Sequence, residues 1–277
     1  MEIPSSVINL IHRALEEDIG PGDITTSLVI PAEQESKAEY LSKGNFVLAG
    51  LPFAKEVFRI LNPSVGFRIF FDDGDKVNTA DVIAEVYGNT RVILNGERVS
   101  LNILQRLSGI ATLTKMFTEK IKGLNVKIVD TRKTTPCQRF MEKYAVRTGG
   151  GYNHRFGLFD GILIKDNHIK AVGNLREAVQ RAKSSHQLTK IEVEVRNLDE
   201  LNEAIEAGAD VVMLDNMTIP DMREAVRISK SRVLLEASGS VNLENVRDIA
   251  ETGVDLISIG ALTHSAPSVD ISLKIVQ

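Results

Sequence analysis

The chain has a single cysteine, Cys137, and no tryptophan. One cysteine excludes an intramolecular disulfide and fits a reducing compartment, so the expected location is cytoplasmic. The first 20 residues carry Glu2, Arg13, Glu16, Glu17 and Asp18 and no apolar stretch between them, so no signal peptide is expected. No apolar run approaches membrane-spanning length, which argues against a membrane partner. There is no GxxxxGK[ST] phosphate loop, which excludes that class of nucleoside triphosphatase, and no GxGxxG opening a helix after a strand. Also missing is a pair of acids followed by Thr-Gly after a strand, a common way of holding phosphoribosyl diphosphate. Basic residues without interleaved aromatics make nucleic acid a poor partner.

Net charge is small, but positive charge is concentrated in one place. The net charge is −4, yet residues 126–170 hold nine Lys or Arg against four acids. Val126–Val129 and Gly161–Ile164 read as buried strands. Arg132 and Lys133 follow the first, and Lys165 ends the second. Three glycines, Gly149–Gly151, precede His154 and Arg155. Cations just past buried strands stand at the rim of a sheet or barrel, where guanidinium forks and ammonium groups suit carboxylates and phosphates. Lys127, Lys143 and Lys170 are assigned to solvated surface, the usual place for lone charges.

Before this stretch the pattern is a small α+β domain. Residues 5–17 have helical spacing, and Gly20-Pro21-Gly22 ends that helix. Asp23, Thr25 and Thr26 read as a polar turn. Ala38–Leu41, Phe46–Ala49, Phe67–Phe71, Val82–Val86 and Val92–Leu94 are strand candidates around a helix at Leu51–Leu61. The longest helical pattern is Asn95–Lys122. It would place Arg98 in a first turn, where a cation opposes the helix dipole.

From 126 onward strand and helix alternate. Further strands are expected at Ile191–Val195, Val211–Leu214, Val233–Glu236 and Leu256–Ile259. The spacing is regular: Glu194 to Asp215 and Asp215 to Glu236 are each 21 residues, and Glu236 to Ser258 is 22. A repeated βα unit whose strands all end in polar groups points to an incomplete parallel βα barrel, so the fold class is α/β with a small α+β domain in front. The expected division is 1–112 for the first domain with its linking helix and 113–277 for the barrel, with the C-terminal tail packing back on the first domain. Glu194 and Asp215 end consecutive strands and are candidate ligands for magnesium or ribose. Ser238-Gly239-Ser240 and Ile259-Gly260-Ala261 follow the last strands and suit a phosphate held by backbone N–H groups.

The motifs DTRKTTP (130–136), EKYAVR (142–147), GGGYNHRFGLFDG (149–161) and LIKDNHI (163–169) resemble those of quinolinate phosphoribosyltransferase, the carboxylating nicotinate-nucleotide pyrophosphorylase. NGERVSLNILQRLSGIAT (95–112), EVEV (192–195), LDN (214–216) and EASGS (236–240) extend the likeness over nearly the whole chain. The resemblance implies phosphoribosyl transfer from phosphoribosyl diphosphate to quinolinate with decarboxylation, using magnesium, in a homodimer or a higher oligomer. Thr131, Arg132, His154, Arg155 and Lys165 would bind quinolinate, with Arg98 supplied in trans. Lys133, Glu194 and Asp215 would handle diphosphate, ribose and metal, and the catalytic set would be Lys133, Lys165, Glu194 and Asp215. Ser238, Gly239, Ser240, Ile259, Gly260 and Ala261 would hold the 5-phosphate. Two positions depart from the family: Cys137 and Ser240 stand where glycine is usual, which puts the backbone there in question. The alternatives are a related pyrophosphorylase associated with molybdenum transport, an aldolase using Lys165 as a Schiff base, and a non-catalytic anion-binding barrel.

Overall fold

In the computed structural model, which describes residues 2–185 and 188–276, the chain divides into two units. One comprises Met1–Lys115, Thr135–Gly150 and Ser265–Gln277; the other comprises Met116–Thr134 and Gly151–His264.

The first unit contains α1 (Ser5–Ile19), α2 (Ile24–Val29), β1 (Glu35–Ser42), β2 (Phe46–Val47), α3 (Leu51–Leu61), β3 (Gly66–Ile69), β4 (Lys76–Val77), β5 (Val82–Asn89) and most of α4 (Thr90–Lys120). Later in the chain it takes in α5 (Arg139–Thr148) and β12 (Ile271–Val276). Four strands form an antiparallel sheet in the order β12-β1-β5-β3. Alternate residues of β1 are buried, as period-2 patterning demands. Tyr40 lies fully inside and shares a 2.6 Å hydrogen bond with Ser100 on α4. Leu48, Phe58, Ile83, Ile93 and Leu104 fill the same core.

Four expectations for this unit change. Val92–Leu94 is helix, not strand, because Asn89 Oδ1 accepts the Arg91 and Val92 N–H groups and starts α4 at Thr90. Arg98 therefore lies beyond the first turn of α4, outside the reach of the dipole effect. The Asp23–Thr26 turn is the start of α2, whose first turn is capped when Asp23 accepts the Thr26 N–H at 2.9 Å. Lys143, expected at the surface, is buried in α5.

The second unit holds β6 (Lys127–Val129), β7 (Ile162–Ile164), α6 (Asp166–Val172), α7 (Leu175–Ser185), β8 (Ile191–Val195), α8 (Leu198–Ala207), β9 (Val211–Asp215), α9 (Ile219–Ser229), β10 (Leu234–Ser238), α10 (Val246–Ala250), β11 (Leu256–Ser258) and α11 (Ala261–His264). All six expected strands form one parallel sheet, in the order β6-β11-β10-β9-β8-β7. This is an incomplete barrel, with β6 and β7 at its two ends. Asn197, Thr218 and Asn242 each precede an expected helix; Asn197 and Thr218 cap α8 and α9, whereas α10 starts only at Val246 and Asn242 accepts the Glu244 and Asn245 N–H groups in the turn before it. Among the described residues, no helix is long and apolar enough to cross a membrane.

Candidate active site

The strand pleat decides what faces the barrel interior. Successive side chains alternate, so Glu192 and Glu194 of β8 share a face, as do Met213 and Asp215 of β9 and Glu236 and Ser238 of β10. At the C-terminal ends of these strands lies a cavity of about 320 Å³. Thr131, Arg132, Lys133, His154, Arg155, Lys165, Glu194, Asp215 and Ser238 line it, together with Leu163, Met213, Glu236 and Ser258. Nine residues singled out in the sequence are thus brought together by five strands and the loops that follow them.

Each cation is held by local structure. Thr131 Oγ1 accepts the Lys133 N–H at 3.0 Å, and the Lys133 carbonyl accepts from Thr263 Oγ1 at 2.8 Å. Gly260 lets the Lys133 side chain pass close: a Cβ there would stand 2.9 Å from Lys133 Cδ. Asp130, fully buried at the end of β6, accepts from Asn153 Nδ2 at 2.6 Å and from the His154 N–H at 2.9 Å, and so fixes the loop that carries Arg155. Arg155 Nη1 donates to the Gly161 carbonyl at 3.0 Å. Burial, and then the nearby Arg132, lower the Arg155 pKa from its usual value. Lys165 Nζ is 3.5 Å from Glu194 Oε2.

His154 is engaged through both ring nitrogens. Nδ1 accepts the Arg155 N–H at 2.8 Å. Nε2 stands 2.9 Å from Glu192 Oε2 and 3.5 Å from Glu236 Oε2. Burial works against charge on the ring; the two glutamates outweigh it and raise the pKa to about 10. The Arg155 amide opposes them, because an Nδ1 that accepts a hydrogen bond carries no proton. Burial, first, raises the Glu192 pKa as well.

Neither Glu192 nor Glu236 was chosen as a site residue from the sequence. The signal was there: the EVEV run puts Glu192 on the same face as Glu194, one pleat deeper. Which acid would meet a histidine from another loop was not readable from spacing.

Glu194 and Asp215 are the acids of the upper layer. Asp215 Oδ1 accepts from Asn216 Nδ2 at 3.0 Å. Carboxylate oxygens at an open cavity suit a hard cation shared with substrate phosphates, so this donor set is compatible with magnesium. The deeper His154, Glu192 and Glu236 also come together, with their ligand atoms within 4.8 Å of one another. That set is drier and includes a nitrogen, which suits magnesium less well.

The two glycine-bearing loops follow lining residues Ser238 and Ser258. Gly239 has φ +97, and a Cβ there would fall 2.2 Å from Asn216 Oδ1. Ser240 takes φ +50 and Cys137 φ +64. Both positions where the chain departs from glycine therefore keep the left-handed backbone that glycine would favour. Arg98 is elsewhere, lining a cavity of about 630 Å³ in the first unit with Leu10, Ala14, Asn102 and Ile103.

Comparison with known proteins places the chain in a family. The family model for the quinolinate phosphoribosyl transferase N-terminal domain matches residues 23–108, and that for the C-terminal domain matches 110–274. A Bacillus subtilis protein named as a probable nicotinate-nucleotide pyrophosphorylase (carboxylating) is 45% identical over 267 residues, covering 96% of this chain and 92% of its own length. One of the same name from Methanocaldococcus jannaschii is 42% identical over 280 residues, 98% of this chain and 97% of its own. The solved nicotinate-nucleotide pyrophosphorylase of Francisella tularensis superposes with a TM-score of 0.95 at 43% identity, covering 99% of this chain and 98% of that one. With both domain models matched and relatives this similar along nearly its full length, the chain belongs to the quinolinate phosphoribosyltransferase family.

Proposed function

We propose that the protein transfers the phosphoribosyl group of phosphoribosyl diphosphate to quinolinate and releases carbon dioxide, giving nicotinate mononucleotide and diphosphate for NAD biosynthesis. The observation that carries this reading is the convergence of Arg132, Lys133, Arg155 and Lys165 with Glu194 and Asp215 on one cavity. Four cations suit two polyanionic substrates, and the two acids suit a cation or ribose hydroxyls.

Arg132, Arg155 and Lys165 bind the two carboxylates of quinolinate, with Thr131 and His154 beside them. Lys133 stabilises charge on the departing diphosphate. Magnesium, held by Glu194 and Asp215, would supply further neutralisation of that diphosphate. The backbone after Ser238 and Ser258 carries the 5-phosphate, through Gly239, Ser240, Ile259, Gly260 and Ala261. With both substrates fixed, the pyridine nitrogen attacks the anomeric carbon as its bond to diphosphate opens, and positioning supplies much of the rate. The positive charge of the pyridinium so formed stabilises the carbanion left on the ring when the adjacent carboxylate departs as carbon dioxide. Protonation of that carbon completes the product. No covalent nucleophile is required of the protein.

Arg98 enters the site of a second chain in a homodimer. Its location in a cavity lined from α1 and α4 by apolar residues such as Leu10, Val99 and Ile103 and by charges of both signs, Arg13 with Glu17 and Asp18, supports a face that a partner covers. A single exposed cysteine is consistent with a cytoplasmic setting.

The deciding experiment mixes the protein with magnesium, phosphoribosyl diphosphate and quinolinate and measures nicotinate mononucleotide, carbon dioxide and diphosphate. Nicotinate in place of quinolinate should be a poor substrate, because it lacks the second carboxylate. Equal or faster turnover with nicotinate would reject this reading.

A further inference from the structure

Two acids lie beneath the cations of the cavity, and the reaction as derived gives them no task. Glu236 is fully buried and Glu192 is 7% exposed. Both oxygens of Glu236 and Oε1 of Glu192 are buried without a hydrogen bond. Buried carboxylates left in this state are unfavourable for folding, and apolar residues of similar size would fill the same space more favourably. What the pair does make is contact with one ring: His154 Nε2 is 2.9 Å from Glu192 Oε2 and 3.5 Å from Glu236 Oε2. The opposite ring nitrogen accepts the Arg155 N–H at 2.8 Å. Arg155 is thus gripped twice, at its backbone by the ring and at its guanidinium by the Gly161 carbonyl.

We propose that Glu192 and Glu236 are positioning residues for substrate binding: together they lock the His154 ring, and through it the backbone of Arg155, so that the guanidinium faces the dicarboxylate. The inference rests on the reaction proposed above. It extends that reading from the residues that touch substrate to a deeper layer contributed by β8 and β10. Asp130 already fixes the backbone of residues 153–154 from the other side. The ring contact is the remaining freedom, and the two glutamates remove it. A site that must match two carboxylates at once needs that rigidity.

The test compares Glu192→Met and Glu236→Met, each of which removes a carboxylate facing the ring while keeping the volume, with Glu192→Gln and Glu236→Gln, which keep an oxygen for the ring. Either methionine variant should raise the KM for quinolinate roughly ten-fold, in line with loss of a charge-assisted contact. The KM for phosphoribosyl diphosphate should stay near wild type, the melting temperature should be no lower than wild type, and glutamine should restore most of the loss in quinolinate binding. In a His154→Ala background, adding Glu192→Met should cost less than about two-fold more, because residues that act through one another are not additive. Should a methionine variant fail to fold, the same cycle is run with glutamine, where a smaller loss that vanishes in the His154→Ala background is expected. Losses that multiply with His154→Ala, or equal rises in KM for both substrates, would overturn the proposal. Wild-type protein that yields no nicotinate mononucleotide overturns the reaction and this inference with it. Normal wild-type turnover with an unchanged quinolinate KM in both methionine variants overturns the inference alone.

Discussion

Arg155 and Lys165 differ in how they are held, and their substitutions should differ accordingly. Arg155 is tied to Gly161 and to His154, whereas Lys165 is half exposed beside Glu194. Each should lose a charge-assisted contact worth about 1.5–3 kcal/mol on truncation, so roughly ten- to a hundred-fold in quinolinate use. Lys165→Ala should do this with an unchanged urea midpoint. Wild-type kinetics in either variant would mark the residue as surface charge. A second prediction concerns the backbone at Cys137 and Ser240, both in the left-handed region. That conformation costs a non-glycine residue roughly 1–2 kcal/mol. Glycine gives back about 0.5–1 kcal/mol through its freer unfolded chain. Cys137→Gly should therefore gain stability of about 0.5–1 kcal/mol by urea titration. A loss would mean that the cysteine side chain stabilises its turn. Ser240→Gly should follow the same sign, less whatever its contact with Asn216 contributes.

At the level of elements, the start of α4 is decided by one side chain. Val92, Ile93 and Leu94 favour a strand by type, but Asn89 Oδ1 accepts two N–H groups of the first turn, and its Nδ2 donates to the Ala32 carbonyl at 2.6 Å. Asn89→Ala should cost about 1 kcal/mol for the lost cap, read as a lower midpoint in denaturant. Thermal unfolding identical to wild type would show that packing of Ile93 alone holds the helix. An apolar stripe at helical spacing along α4 is buried at Val99, Leu107, Ile110, Ala111 and Phe117, and a second face is buried beside it. Leu101 and Leu104 are fully inside, while Ile103 faces the open cavity with Arg98 and Asn102. A 31-residue helix that buries more than one face cannot be read from a single 3.6-residue period.

For the whole molecule the prediction is that a complete site needs two chains. Arg98 does not line the cation-lined cavity of the barrel unit. The interface should be isologous, each chain lending Arg98 to the other. Arg98→Ala and Lys165→Ala should each be nearly inactive. Co-expressed, half the dimers are hybrids and one of the two sites in each hybrid is intact, so activity should recover to roughly a quarter of wild type. A mixture that stays inactive while hybrids form would place Arg98 in its own chain's chemistry or outside it.

The barrel was legible in advance because parallel buried strands leave two plain marks: short β-branched runs, and a polar residue at each strand end spaced by one βα unit. Those marks located Arg132, Lys133, Lys165, Glu194 and Asp215, which the cavity brings together. Local chemistry also identified the caps Asn197 and Thr218. Contacts between residues far apart in the chain were decided by the tertiary structure alone. The meeting of His154 with Glu192 and Glu236 depends on the loop between α5 and β7 reaching β8 and β10, and no spacing encodes it. The burial of Lys143 has the same origin, as does the register in which the C-terminal tail, expected to return to the first domain, pairs with β1. Sequence patterns report the face a residue presents, whereas the partner it finds there depends on how the chain closes in space.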